Sequence, residues 1–107
     1  MLIIYFIMLK LEVYQLPKLF KIGGYVIFFW SNENDEPIHV HIAEGSPSEN
    51  ATKIWLTREG GCISANNNSR ISQRELNHLL KIIQTEYEDI CAKWKLFFDI
   101  DEIKFYC

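Results

Sequence analysis

The feature that most constrains this chain is a change in hydrophobic period at Ser72. Before Ser72, short apolar or alternating runs are separated by turn residues, a pattern typical of β-strands. After Ser72, apolar residues recur at steps of three and four, as on one face of an amphipathic helix. Ser72 and Glu75 also have the spacing of a capping box, which marks a helix start. The sequence therefore predicts strands followed by a helix.

The predicted strands form a meander. Gly23-Gly24 predicts a hairpin turn because glycine tolerates positive φ. The later connections are polar and rich in turn residues. We expect an antiparallel sheet of four to five strands at residues 18–22, 25–30, 38–42 and 51–56, with a weaker edge strand at 62–65.

One long amphipathic helix is predicted over residues 72–99, covering one face of the sheet. This gives an α+β class, with a single domain over residues 1–107. Its predicted parts are an N-terminal extension or extra strand (1–16), the meander (17–71), the helix, and a tail (100–107) that is either a short strand or frayed.

Length and composition limit the class of protein. The 107 residues suit one domain, and the 49% hydrophobic content excludes a disordered tail. The net charge of −3 argues against a general nucleic-acid coat, which needs clustered positive charge. The three cysteines form no CxxC pair, so we expect reduced thiols in a cytoplasmic protein.

The apolar run Met1–Leu9 raises the question of a membrane segment. It is about half the ~20 residues that a spanning helix needs. A secretory signal would carry basic residues before the apolar run and a small-residue cleavage site after it. This sequence has neither. We therefore expect no membrane association. The run is either an extra strand, or lies upstream of a true translation start at Met8.

Alternation within residues 38–42 predicts a face carrying two histidines. Side chains of a strand point alternately to opposite faces, so His39 and His41 share the face away from the apolar residues. In the next strand Lys53 and Trp55 fall on that same face. One alternate set of the strand at 25–30 adds apolar surface: either Tyr25, Ile27 and Phe29 or Val26, Phe28 and Trp30.

The histidine pair is the strongest candidate for chemistry. Two imidazoles pointing the same way suit two ligands of one metal ion, or an acid and a base. A carboxylate from Glu36, Asp35 or Glu44 would complete a set for Zn²⁺ or Fe²⁺. Alternatively, the histidines are hydrogen-bonded at a loop edge or packed in a protein interface. The candidate catalytic residues are His39, His41, Glu36 and Lys53.

Further candidates are weaker. Arg58, Arg70 and Arg74 suggest a small basic patch, so that Trp55, Arg58 and Arg70 are candidate binding residues. The run of asparagines at 66–68 is interpreted as a turn, and His78 as a solvated residue of the helix.

Several motifs follow one another along the chain. They are Ser31-Asn32-Glu33, Glu36-Pro37-x-His39-Val40-His41, Lys53-x-Trp55-Leu56 and Lys93-Trp94-x-x-Phe97-Phe98. With these motifs the chain resembles, over about residues 17–98, the small bacterial family catalogued as domain of unknown function 4160. Members usually carry a second proline where Ile38 stands here.

The resemblance implies a functional surface and a genetic setting. Genes of this family often lie beside another small gene, as in toxin–antitoxin pairs, which implies a toxin-like protein acting on RNA or translation with a small partner. The alternative is a non-enzymatic interaction module, and a third possibility is a homodimer centred on Trp55. The implied surface comprises Glu36, His39, His41, Lys53 and Trp55.

Overall fold

The computed structural model describes residues 18–33 and 35–107, and its sheet is a meander. Five antiparallel strands lie side by side in sequence order. They are β1 (Lys18–Ile22), β2 (Tyr25–Phe28), β3 (His39–Glu44), β4 (Thr52–Leu56) and β5 (Cys62–Ser64). The predicted meander is confirmed, including its weak edge strand. The predictions for residues 1–17, among them the start at Met8, lie outside the described residues.

The first hairpin turns at the two glycines, as predicted. Ile22 pairs with Tyr25 across the turn, so that Gly23 and Gly24 are the connecting residues. Gly23 has a φ of 56°, a left-handed conformation in which a side chain would add strain. This turn fixes the register of β1 against β2.

Two consecutive helices follow the sheet, α1 (Gln73–Thr85) and α2 (Tyr87–Phe98). The side chain of Ser72 accepts a hydrogen bond from the backbone N–H of Glu75 at 3.2 Å, so the predicted cap is present. The predicted single helix is divided at Glu86, where φ is −92° and ψ is 12°. Among the described residues, neither helix combines the length and the apolar composition needed to cross a membrane. The α+β class is confirmed.

The hydrophobic core lies between the helices and one face of the sheet. The inward residues of the central strands are fully buried, and each such side chain contributes roughly 1.5–3 kcal/mol. This is the face on which the alternation placed Val40 and Ile42. The cluster includes Ile27, Val40, Ile42, Ile54 and Leu56 of the sheet and Leu76, Leu79, Ile83, Ile90 and Trp94 of the helices.

The C-terminal tail is neither a strand nor frayed. The backbone N–H of Ile38, just before β3, donates to the carbonyl of Lys104 at 2.8 Å. The N–H of Arg58, just after β4, donates to the carbonyl of Cys107 at 3.0 Å. Because β3 and β4 are antiparallel, both bonds lie at the same end of the sheet, where the tail is attached.

Candidate functional site

The face of the sheet opposite the core carries the histidine pair. His39 lies opposite Trp55 and His41 opposite Lys53 in the β3–β4 register, as the alternation predicts. Of the two alternate sets of residues 25–30, the one that lies on this face is Val26, Phe28 and Trp30. Its Phe28 pairs with His41 in the register, and the rings of Phe28 and His41 are 5.4 Å apart. The small second cluster on this face comprises Val26, Phe28, Ala43 and Ala51, with Trp30 against it.

Glu33 is the carboxylate that contacts both histidines. Its Oε2 lies 2.8 Å from Nε2 of His39 and 2.9 Å from Nε2 of His41. Its Oε1 lies 3.1 Å from the same nitrogen of His41. Glu33 is only 8% exposed, so the three groups form a nearly enclosed cluster. We call these three residues the Glu–His–His cluster.

The loop between β2 and β3 holds the Glu33 side chain in place. The backbone N–H of Trp30 donates to Glu33 Oε1 at 2.7 Å. In return the N–H of Glu33 donates to the carbonyl of Trp30 at 3.3 Å, closing a turn. The backbone of its own loop therefore orients the Glu33 carboxylate independently of the two histidines.

The environment of Glu33 keeps it ionised. Burial alone would raise its pKa, because removal from water penalises the charged form. The close contacts with His39 and His41, and the bond from Trp30, outweigh burial and lower the pKa from 4.5 to about 2. At neutral pH the cluster therefore contains a carboxylate anion.

His39 is completely buried, and the backbone carbonyl of Pro37 orients its ring. Its Nδ1 lies 2.8 Å from the carbonyl of Pro37, which can only accept a hydrogen bond, so Nδ1 carries the proton. The ring also contacts Trp55 and Trp94, with centroids 5.6 and 5.4 Å away. Nε2 faces Glu33 but out of line for a hydrogen bond, and it has no hydrogen-bond partner within residues 18–33 and 35–107.

The other carboxylates considered from the sequence lie elsewhere. Glu36 Oε1 accepts from Lys53 Nζ at 2.7 Å, and the same Nζ lies 4.3 Å from the centre of the Trp55 ring. Asp35 uses its backbone carbonyl to accept from Lys104 Nζ. Glu44 is exposed at the far end of β3, opposite Tyr25. Glu36 and Lys53 thus form an ion pair next to the cluster.

The three arginines do not form a patch at one end of the domain. Arg58 follows the C-terminal end of β4, and its guanidinium lies 5.0 Å from the Phe105 ring centre. Arg70 comes after Ser69, whose hydroxyl accepts from the backbone N–H of Thr52 at the other end of β4. The sheet therefore separates Arg58 from Arg70, and Arg74 is exposed on α1.

An open pocket adjoins the cluster. It has a volume of about 410 Å³ and is lined by Trp30, Asn32, Glu33, Glu36 and Glu49. Three of these five side chains are acidic, so the pocket has a negative character. It gives Glu33 a route to the solvent.

The cysteines are outside this chemistry. Cys62, Cys91 and Cys107 are free thiols in the part of the chain that the structure describes, in agreement with the expectation of no disulfide. Burial raises the pKa of the Cys62 and Cys91 thiols. These two thiols are therefore protonated and unreactive at neutral pH.

Comparison with known proteins identifies a family. Neither a curated protein nor a solved structure matches the chain. The family model described as Domain of unknown function (DUF4160) matches residues 24–95, which is more than half of the chain. The matched range contains Glu33, His39, His41, Lys53 and Trp55. The chain therefore belongs to the DUF4160 family.

Proposed function

We propose that this chain is the toxin-like component of a two-gene bacterial module. It acts in the cytoplasm on RNA or on translation through the Glu–His–His cluster. The observation that carries the proposal is the convergence of two imidazoles and a carboxylate beside an open pocket. General acid–base catalysis and metal-assisted catalysis both need groups that converge in this way. The two-gene setting rests on analogy with other members of the family.

Lys53, in the ion pair beside the cluster, is the cation that a phosphate-containing substrate would contact. Lys53 is the cross-strand neighbour of His41 and the pocket also contains Glu36, its partner. The carboxylate of Glu36 and the ring of Trp55 hold the Lys53 ammonium in position. In this proposal Lys53 contacts the substrate, Glu36 positions Lys53, and His39 and His41 serve as acid, base or metal ligands.

A contact within the chain weighs against the alternative function, a non-enzymatic module that binds a partner or a second copy through this face. Tyr106 stacks on Trp55, so the ring expected at the centre of an interface already contacts the tail of its own chain. In the proposal the small protein from the neighbouring gene neutralises the toxin and binds elsewhere on the domain.

Growth of a bacterial host after induction tests the proposed function. We expect the wild type to arrest growth. The variant His78→Gln should do the same, because His78 is exposed on α1 and is not part of the Glu–His–His cluster. The double variant His39→Gln/His41→Gln should allow growth at equal soluble expression. Labelled uridine and methionine incorporation would then separate an attack on RNA from a block of translation.

Two results would overturn the proposed function. One is normal growth with the wild type at high soluble expression. The other is equal arrest by the wild type and the double histidine variant, because the toxicity would then be independent of the cluster. Circular dichroism of each purified variant confirms that it is folded before its growth result is used.

A further inference from the structure

We propose that Glu33, His39 and His41 form a binding site for one divalent transition-metal ion, of the Zn²⁺ or Fe²⁺ type. The proposal deepens the proposed function because it concerns the same cluster. Two imidazoles and one carboxylate are a donor set that both ions accept in proteins. One donor atom from each residue lies within 4.8 Å of the other two.

The distances within the cluster suit a shared ion. Ligands 90° apart at bonds of about 2.0–2.1 Å are about 2.9 Å from each other. Glu33 Oε2 is 2.8 Å from His39 Nε2 and 2.9 Å from His41 Nε2. Both Glu33–histidine contacts therefore already have the separation of two ligands that share an ion, and all three donor atoms lie within 4.8 Å of one another.

The buried Nε2 of His39 points to a missing partner. It is fully buried and has no hydrogen bond within the described residues. Leaving such a group unsatisfied typically costs about 1–3 kcal/mol. Because Nδ1 already donates to the carbonyl of Pro37, Nε2 is the ring nitrogen left to bind an ion within the cluster.

Groups behind the donors orient them in the way known for metal sites. Metal-binding histidines commonly donate their second ring nitrogen to a backbone carbonyl, as His39 does to Pro37. Metal-binding carboxylates are usually hydrogen-bonded as well, as Glu33 is to the backbone N–H of Trp30. Both supports come from backbone atoms of the loop between β2 and β3, so the site is built before an ion arrives.

The pocket supplies an entrance and an attraction. Glu33 lines it together with Glu36 and Glu49, and their negative charges favour a divalent cation. Without a cation the same charges repel the phosphate groups of RNA. A bound ion would leave coordination positions open towards the pocket for water or substrate, as in catalytic sites.

Titration of the purified chain with Zn²⁺ tests the metal site. The untagged protein carries Cys107→Ser, because this substitution removes the exposed thiol as a competing ligand. It is first dialysed against a chelator to remove bound metal. We expect one Zn²⁺ per chain by calorimetry and by elemental analysis after gel filtration. We also expect a visible Co²⁺ spectrum without a thiolate charge-transfer band, because the donors are nitrogen and oxygen.

Single ligand variants assign the site. Glu33→Gln and His41→Gln should each weaken Zn²⁺ binding at least 100-fold, while His78→Gln should leave it unchanged. Zn²⁺ should raise the melting temperature of the wild type but not of these two variants. Folded wild-type protein that binds no Zn²⁺ or Fe²⁺ at micromolar concentration would overturn the proposal, as would equal binding by the ligand variants.

The outcome is separable from that of the growth experiment. A protein that binds one Zn²⁺ at the cluster and does not arrest growth overturns only the proposed function. Arrest that depends on the histidines, in a protein that binds no metal, overturns only the metal site.

Discussion

Trp55 of β4 stacks on Tyr106 of the tail, with ring centroids 4.8 Å apart and planes 6° from parallel. The tail is held near this contact by the bond from the N–H of Ile38 to the carbonyl of Lys104. Trp55 in turn contacts His39, with centroids 5.6 Å apart. The tail therefore packs on the residue that contacts His39 of the Glu–His–His cluster.

Loss of this stack should destabilise the domain by a modest amount. Aromatic pairs contribute about 0.5–1.5 kcal/mol beyond the area they bury. We expect Tyr106→Ala to lower the free energy of unfolding by about 1–2 kcal/mol, and Tyr106→Phe to leave it nearly unchanged because the ring is kept. In a double-mutant cycle with Trp55→Ala, measured by urea unfolding, the two residues should be coupled. Strictly additive effects would contradict a direct contact.

The asparagine run before α1 contains a structural residue. The side chain of Asn67 accepts from the Thr52 hydroxyl at 2.8 Å and from the N–H of Ile71 at 3.0 Å, and donates to the carbonyl of Ile71 at 2.8 Å. Thr52 is fully buried. Asn67 therefore joins the start of β4 to the approach to α1.

Replacement of Asn67 should cost more stability than replacement of its neighbour. Three hydrogen bonds are lost in Asn67→Ala, and we expect the free energy of unfolding to fall by about 1–3 kcal/mol. Asn68 takes part through its backbone N–H, so Asn68→Ala is the matched control and should stay within about 0.5 kcal/mol of the wild type. Similar losses in both variants would assign the effect to loop composition instead.

The sequence predicts the sheet and its two faces because both follow from local patterns. Alternation in residues 38–42 needs only the period of a strand, and the hairpin at residues 23–24 needs only glycine. The division of the helix at Glu86 has no such signal. Glutamate is a good helix former, and helical hydrogen bonds continue on both sides, from Glu86 to Ile82 and from Ile90 to Glu86. The sequence shows no proline or glycine there to predict the bend.

Two of the three residues of the Glu–His–His cluster were also predictable from the sequence. His39 and His41 share a face because they are two residues apart on a strand. Glu33 lies in a polar loop, where no period indicates which acid turns inward. Its position depends on the turn from Trp30 to Glu33, and a Glu three residues after Trp30 at the end of an apolar strand was the available signal. Nearer acids such as Glu36 were more obvious candidates.

A tyrosine hydroxyl of α2 bonds to the chain at the end of β4. The Tyr87 hydroxyl, at the start of α2, donates to the carbonyl of Thr57, just after β4. We expect Tyr87→Phe to lower the free energy of unfolding by about 1 kcal/mol, because the ring stays and one part-buried hydrogen bond is lost. Tyr106→Phe removes the same atom from a residue that is 61% exposed and is the control. Equal stability of the two variants would show that the bond contributes nothing.

The ionised state of Glu33 should make the metal-free domain sensitive to acid. A carboxyl group whose pKa falls from 4.5 to about 2 on folding stabilises the folded state by roughly 3 kcal/mol at neutral pH. Because the folded pKa is the lower one, this stability is complete above about pH 5 and is lost as the pH falls towards 2.

Glu33→Gln should remove this part of the acid sensitivity. We expect the difference in unfolding free energy between the wild type and Glu33→Gln to narrow by about 2 kcal/mol between pH 6 and pH 3. In this range the carboxyl of the unfolded wild type, with a pKa of 4.5, takes up a proton while the folded carboxyl stays largely ionised. This difference is measured by guanidinium unfolding of both chelator-treated proteins at several pH values. Glu49→Gln changes an exposed acid of the same pocket and should follow the wild type. A difference that stays constant with pH would mean that Glu33 is not held as an anion by His39 and His41.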